Sequence, residues 1–408
     1  MNIIEGGITS PLGWYASGVH AGIKREKLDL ALLYSEKPAR VSIGYTQNKV
    51  KAAPVEIMMK RDPEFLQAFV INSGNANALT GLKGIEDAIA MVKTTAHEFN
   101  IDEALVGVAS TGVIGRYMPI DRVIEGISIA AKSIGRGKKY DELASTAIMT
   151  TDLVRKEVAC QVPLADGRIV TIGGMAKGSG MISPSMRTLH ATTLSFITTD
   201  ALITSRPDKR WQRILDRTFN MINVDGDQST NDISVFMANG CVGGDPVDDD
   251  AGFWDGVELV AKTLSKKIAA DGEGATKLIE VVVTGALTEE DARSAARSIV
   301  SSNLVKAAVF GADPNYGRII AAVGNSASKF DLDKMQLMIC ANGTSVKLFD
   351  RGEPMQLSGK SVEAVARKVL SSKAITIQLD LGMGNCTADA WGCDLSYDYV
   401  RINSAYTT

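Results

Sequence analysis

The sequence predicts a mixed α/β fold, layered sheets and helices in two lobes, on three observations. A chain of 408 residues is longer than one hydrophobic core usually serves, so two lobes or two tightly joined domains are expected. Apolar residues recur at three- and four-residue intervals in some segments, as in amphipathic helices, and alternate or run together in others, as in strands. The composition, 45% hydrophobic and 22% charged, is that of a folded globular protein and not of a disordered or coiled-coil chain.

Taken in order, "FLQAFVINSG" (65–74) reads as a strand. The segment "GIEDAIAMVKTTAHEF" (84–99) reads as a helix whose buried face is Ile85, Ala88, Ile89, Val92, Ala96 and Phe99. "EALVGVAST" (103–111) is the next strand. "PIDRVIEGISIAAKSI" (119–134) is a helix through Ile120, Val123, Ile124, Ile127 and Ile134. "LHATTLSFITTD" (189–200) reads as a buried strand with four threonines in twelve residues. "DPVDDDAG" (245–252) is an acidic surface turn. "FWDGVELVAKTLSKKIAAD" (253–271) is a helix through Val257, Val260, Leu264 and Ile268. "KLIEVVVTGA" (277–286) is a strand, and "TEEDARSAARSIV" (288–300) opens a helix at Thr288, with Asp291 placed as in a capping box. "KMQLMICANG" (334–343) and "AITIQLDLG" (374–382) complete the strands. The last alternates Ile375, Ile377, Leu379 and Leu381 with polar residues, as one buried face requires.

Net charge is −3, with 44 basic and 47 acidic residues mixed along the chain. That balance gives no basic footprint for a phosphate backbone, and no nucleic-acid partner is expected. No apolar run approaches the length of a membrane span, and "MNIIEGGITSPLGW" lacks the pattern of a signal peptide. A cytoplasmic protein without a membrane partner is expected. Five cysteines (Cys160, Cys241, Cys340, Cys386, Cys393) form no CxxC pair, so reduced, mostly buried thiols are expected, with no disulfide and no metal.

The chemistry is found by elimination. Three histidines (His20, His97, His190) sit at no ligand spacing and do not make a triad. "GRGKK" (135–139) and "GGMAKGSG" (173–180) lack the full phosphate-loop pattern, but the second places Lys177 among small residues where backbone can approach a ligand closely. "NSGNANALTG" (72–81) and "ASTGVIG" (109–115) each follow a strand, where turning backbone amides can converge on an anion. Threonine is then a candidate nucleophile. An N-terminal threonine supplies its own base, because an α-amine titrates at about 7.7–8.0. Thr192 is internal, so this route needs the chain cut between Ala191 and Thr192, which the hydroxyl can bring about by an N-to-O acyl shift followed by hydrolysis.

These segments, with "YTQNKVKAAPV" (45–55), "IMTTD" (148–152), "VDGDQSTND" (224–232), "DGEGATK" (271–277), "GADPNYGR" (311–318) and the terminal "INSAYTT", occur in the order of the ornithine acetyltransferase family of arginine biosynthesis, which the chain resembles nearly end to end. The resemblance implies a fold of the ornithine acetyltransferase and D-aminopeptidase-like type. It implies a precursor that cuts itself at Ala191/Thr192 into an α-chain (1–191) and a β-chain (192–408), which stay together as a heterotetramer of two α and two β chains. It implies transfer of an acetyl group from N2-acetylornithine to glutamate through acetyl-Thr192, with Thr111 and Gly112 as oxyanion donors. Thr151, Lys177, Thr192, Glu273, Asn403 and Thr408 are the implied substrate-binding positions. The substrates are small molecules and no organic cofactor or metal is implied. Both a member confined to acetylornithine and a bifunctional one that also takes acetyl-CoA fit these residues.

Two departures from the family pattern leave alternatives open. Arg187 to His190 are four extra residues beside the expected cut, which makes Thr188 the rival of Thr192. "MTTDL" lacks the family's usual threonine after the aspartate, which sets Thr150 against Thr151. Two rival functions stand beside the transferase: a self-processing amide hydrolase or aminopeptidase of related fold, and an unprocessed, non-catalytic binding protein.

Overall fold

A computed structural model describes residues 1–183, 194–355 and 360–405. In chain order the strands and helices are β1 (Asn2–Ile4), β2 (Trp14–Val19), β3 (Leu30–Tyr45), α1 (Ala53–Arg61), β4 (Phe65–Asn75), α2 (Gly81–Phe99), β5 (Val106–Val113), α3 (Ile120–Lys132), α4 (Lys138–Ala147), β6 (Lys156–Pro163), β7 (Ile169–Lys177) and β8 (Leu194–Thr199). They continue as α5 (Asp208–Arg217), β9 (Ile222–Asn223), β10 (Ile233–Ala238), α6 (Ala251–Ala270), β11 (Leu278–Ala286), α7 (Glu289–Ser301), α8 (Asn303–Phe310), α9 (Tyr316–Gly324), β12 (Gln336–Ala341), β13 (Thr344–Asp350), β14 (Glu353–Pro354), α10 (Lys360–Leu370), β15 (Ala374–Asp380), β16 (Cys386–Cys393) and α11 (Tyr397–Ala405). The expected mixed α/β architecture is present, and the chain folds as two compact units. The first holds residues 1–178 with the described residues of 194–220 and 228–264; the second holds 179–183, 221–227 and the described residues from 265 on. These packing boundaries are distinct from the covalent cut expected at Ala191/Thr192.

The sheet of the first unit has nine strands among the described residues, in the order β1-β6-β7-β8-β10-β3-β4-β5, with β2 also on β3. β4 and β5 are parallel, and so are β8 and β10; the other pairs are antiparallel. A parallel β4/β5 pair needs a long crossover, which α2 supplies. The core joins residues from both halves of this sheet, for example Phe69 of β4 and Phe196 of β8, edge to face at 5.0 Å. β8 has all six residues buried, as expected for a central strand.

β7 refines one expectation. Gly173 and Gly174 of "GGMAKGSG", read as room for a ligand beside Lys177, lie in a strand paired with β6 through residues 169–176 and with β8 through 172–177. Its glycines are required by the protein's own packing: a Cβ on Gly173 would run into the Gly7 carbonyl, and one on Gly174 would come within 2.8 Å of Val260.

In the second unit the described strands form a sheet of seven, β14-β13-β12-β15-β11-β16-β9. α7 packs on β11 and β16, and α10 on β12 and β13. Ile375, Ile377 and Leu379 of β15, with Leu381 beyond it, are all at most 1% exposed, while Gln378 and Asp380 face out, which is the alternation the sequence shows. The N-cap half of the expected capping box is formed: Thr288 Oγ1 accepts from the Asp291 N–H at 3.0 Å, while the Asp291 carboxylate accepts from the Thr288 hydroxyl, at 2.6 Å, and not from its backbone. Two of the five cysteines are fully buried, three are partly so, and none is paired. Replacing Thr288 with Ala leaves the first turn of α7 uncapped and is expected to lower stability by about 1 kcal/mol in denaturant unfolding.

Candidate active site

The first unit presents its chemistry at the C-terminal ends of β4 and β5. Parallel pairing sets Ser73 opposite Thr111 and Gly74 opposite Gly112, and the register shifts at Asn75. Gly112 has φ +132°, and a Cβ there would lie 2.6 Å from the Asn75 nitrogen. Only glycine lets the two backbones close at this bulge. The polar residues around it are committed to backbone and to one another. Ser110 donates to Asn72, and Asn72 to the Asn75 carbonyl at 2.9 Å. Asn75 donates to the carbonyls of Arg116 and Tyr117, and Asn77 to that of Gly84. Asn231, arriving from the segment before β10, donates to the Ala76 and Ser110 carbonyls. The hydroxyl- and amide-rich segment 72–81 thus fixes the shape of the turn, leaving Thr111 and Gly112 at its rim.

Lys177, the last residue of β7, is only 8% exposed, as is Thr111, and its Nζ donates to Thr111 Oγ1 at 3.3 Å. Asp152 lies beside them. Its Oδ1 accepts from the Gly178 N–H at 2.7 Å and from Lys156 Nζ at 2.6 Å, and its Oδ2 from the Thr150 N–H at 2.9 Å. The side chains of Asp152 and Lys156 are both 0% exposed. Burial alone would raise the Asp152 pKa, but the ammonium groups of Lys177 and Lys156 outweigh it and hold the carboxyl well below its ordinary range. Thr150 is drawn towards the same carboxylate through its backbone and hydroxyl, whereas the Thr151 hydroxyl has no partner among the described residues. Nearby, Lys24 donates to the carbonyls of Leu28 and Met149, and burial pushes it down to about 8.

The second unit brings Glu273 and Asn403 together: Asn403 Nδ2 donates to Glu273 Oε2 at 2.9 Å. The Glu273 N–H donates to the Ser179 carbonyl at 3.0 Å. Asp225 accepts from the N–H groups of Met181 and Ile182, at 2.6 and 3.0 Å, fastening segment 179–183 to this unit. Burial first, and then the negative charges of Asp225, Asp227 and Glu273, push Tyr399 up to about 12.

Thr111, Gly112, Thr151 and Lys177 therefore gather in one unit, and Glu273 and Asn403 in the other. Ala191, Thr192, the rival Thr188, His190 and Thr408 lie outside the described residues. Leu194, two positions after Thr192, pairs with Lys177 across the β7/β8 ladder. His20 and His97 are exposed. Asp152, Lys156 and Asn231 carry the geometry of the site without having been singled out. The signal for the first two was an acid and a base four residues apart in "DLVRK". No cluster of His, Cys, Asp and Glu among the described residues could hold a metal ion, and no described helix is long and apolar enough to cross a membrane.

A profile of the ArgJ family matches residues 15–408. The chain belongs to the ArgJ family. It is 49% identical over 414 residues to the arginine biosynthesis bifunctional protein ArgJ of Caldanaerobacter subterraneus subsp. tengcongensis, with 100% of both chains covered. Identity to the protein of the same name from Listeria monocytogenes is 44% over 418 residues, again with 100% of both covered. Among solved structures, an ornithine acetyltransferase from Mycobacterium tuberculosis, complexed with ornithine, is 37% identical and covers 45% of this chain and 98% of its own, with a TM-score of 0.42. Membership in the ArgJ family makes the chain an acyltransferase with an acetyl-transfer role in arginine biosynthesis, as its motifs implied.

In this ArgJ family member the Asp152 pair is also a stability determinant with a defined pH dependence. A carboxyl whose pKa is depressed on folding stabilises the folded state above its unfolded pKa, and that contribution is lost as the pH falls towards the folded value. Asp152→Asn leaves Lys156 buried without its partner and is expected to cost about 3 kcal/mol near neutral pH. The difference from wild type should hold above about pH 5 and shrink below about pH 4. Urea unfolding at several pH values checks this, and a difference that grows on acidification would contradict it.

Proposed function

We propose that the chain cuts itself between Ala191 and Thr192 and then transfers the acetyl group of N2-acetylornithine to glutamate through an acetyl ester on Thr192. The observation that carries this reading is the β7/β8 register. It pairs Leu194 with Lys177, and Lys177 hydrogen-bonds Thr111. The strand that follows the proposed nucleophile is thereby tied to a buried ammonium and to the turn bearing the proposed oxyanion donors.

In the proposed cycle the free α-amine of Thr192 takes the proton of its own hydroxyl as Oγ attacks the acetyl carbonyl. The Thr111 hydroxyl and the Gly112 N–H stabilise the tetrahedral oxyanion. The ornithine amine leaves with the proton, and the amine of glutamate then attacks the ester, gives up a proton and regenerates Thr192. Lys177 receives a substrate carboxylate, and Glu273 with Asn403 receives the ornithine ammonium. Thr151 is taken over Thr150 as the substrate contact, because Thr150 already turns to Asp152. Thr408 completes the proposed set. The relatives are named bifunctional, and the second activity inferred for this chain is acetylation of glutamate by acetyl-CoA, taken as a substrate. The α and β chains are proposed to remain associated, two of each.

Denaturing electrophoresis is expected to show two fragments, residues 1–191 and 192–408. Thr192→Ala should leave a single intact chain; continued cutting would transfer the role of nucleophile to Thr188. Incubation with N-acetylornithine should release ornithine and, with glutamate present, form N-acetylglutamate. Acetate appearing at the same rate without glutamate would instead make the protein a hydrolase.

A further inference from the structure

We propose that Lys156 is a positioning residue for Lys177: by pairing with Asp152 it leaves the Lys177 ammonium uncommitted and able to receive a substrate carboxylate. The inference rests on the carboxylate-binding role proposed above for Lys177. Three facts carry it. The side chains of Asp152 and Lys156 are both 0% exposed, with Lys156 Nζ 2.6 Å from Asp152 Oδ1. The same carboxylate holds the backbone of Gly178, directly after Lys177, and of Thr150, directly before Thr151. Lys177 nevertheless directs its hydrogen bond to Thr111 and not to Asp152.

A buried carboxylate must be matched by a cation, and without Lys156 the cation at hand is Lys177, whose charge already acts on Asp152. An ammonium drawn into an ion pair there would leave both Thr111 and the incoming substrate. Lys24 is no substitute, because its protons go to the Leu28 and Met149 carbonyls. The i, i+4 placement of Lys156 lets Asp152 shape both sides of the site while its charge is neutralised from behind.

The test is a double-mutant cycle on the full chain, read by calorimetric titration with glutamate and with ornithine and by steady-state kinetics. Lys156→Met is expected to weaken binding of both amino acids about tenfold or more, the loss of a charge-assisted contact. Its KM should rise more than its kcat falls, as for lost uniform binding. Asp152→Asn on that background removes the anion that captures Lys177 and keeps an oxygen for the Gly178 N–H, giving up the bond to the Thr150 N–H, so affinity should return to within about threefold of wild type. A residue that merely packs would show no such rescue. Unchanged affinity in K156M, or a D152N/K156M protein no better than K156M, overturns the proposal. Should K156M fail to fold, D152N/K156M decides alone: an affinity loss of about tenfold or more there overturns it and near-wild-type affinity supports it. Wild-type protein that binds neither amino acid would overturn the parent reading as well, which separates the two failures.

Discussion

Strand β8 is hydrogen-bonded on both sides, antiparallel to β7 and parallel to β10, and all six of its residues are buried. Because side chains alternate, a slip of one residue would turn Phe196, which packs on Phe69, to the opposite face. The hydroxyls of the strand reinforce this register: Thr198 donates to the Ile8 carbonyl and Thr199 to that of Thr171. One ladder therefore fixes Leu194 opposite Lys177 and Ile233 opposite Leu194, bringing the segment that carries Asn231 to the ends of β4 and β5. A strand held this firmly on both sides keeps its place whether or not the chain is continuous ahead of it.

The parts of the fold that showed a clear period in the sequence were those in which one face is apolar and the other polar, whereas β4, β5 and β8 were read as strands from apolar runs alone. Helices α2, α3, α6 and α7 and strand β15 are of the first kind, and they show their period because water covers one side of them. The strands that build the site are buried on both faces and show no period. β7 was not read as a strand, because Gly173 and Gly174 make room for neighbouring backbone and side chains, a demand that only the folded neighbours reveal. β3 carries "SEKP" in its middle, a charged run with a proline that argues against a strand, yet the ladder to β4 shifts between Tyr34 and Ala39 and accommodates it.

The polar segments gave a similar lesson. Asn72, Ser73, Asn75 and Asn77 are buried and bonded to backbone, so their abundance marked a turn that had to be built without water. Thr111 was singled out because its family motif agreed with a turn expected after a strand; it lies within β5, near that strand's end and hydrogen-bonded to Lys177. Asp152 was not, because an acid followed four residues later by a lysine most often marks an exposed helical pair; here Asp152 lies in irregular chain and Lys156 opens β6, with both side chains fully buried.

Charge explains why that concealed pair matters. Lys24, Lys156 and Lys177 surround the Asp152 carboxylate, and Asp29 is committed to the N–H groups of Ala21, Ile23 and Lys24. In a region of low dielectric this excess of ammonium groups attracts an anion, and an α-carboxylate would complete the balance. Yet an ammonium can serve a transient anion only if no resident one holds it more tightly. Lys24 meets that condition through two carbonyls and Lys177 through a neutral hydroxyl, while Lys156 alone closes on the carboxylate. The division of labour among three chemically identical side chains is thus set by their partners, and it leaves Lys177, at the end of β7, as the one turned towards Thr111.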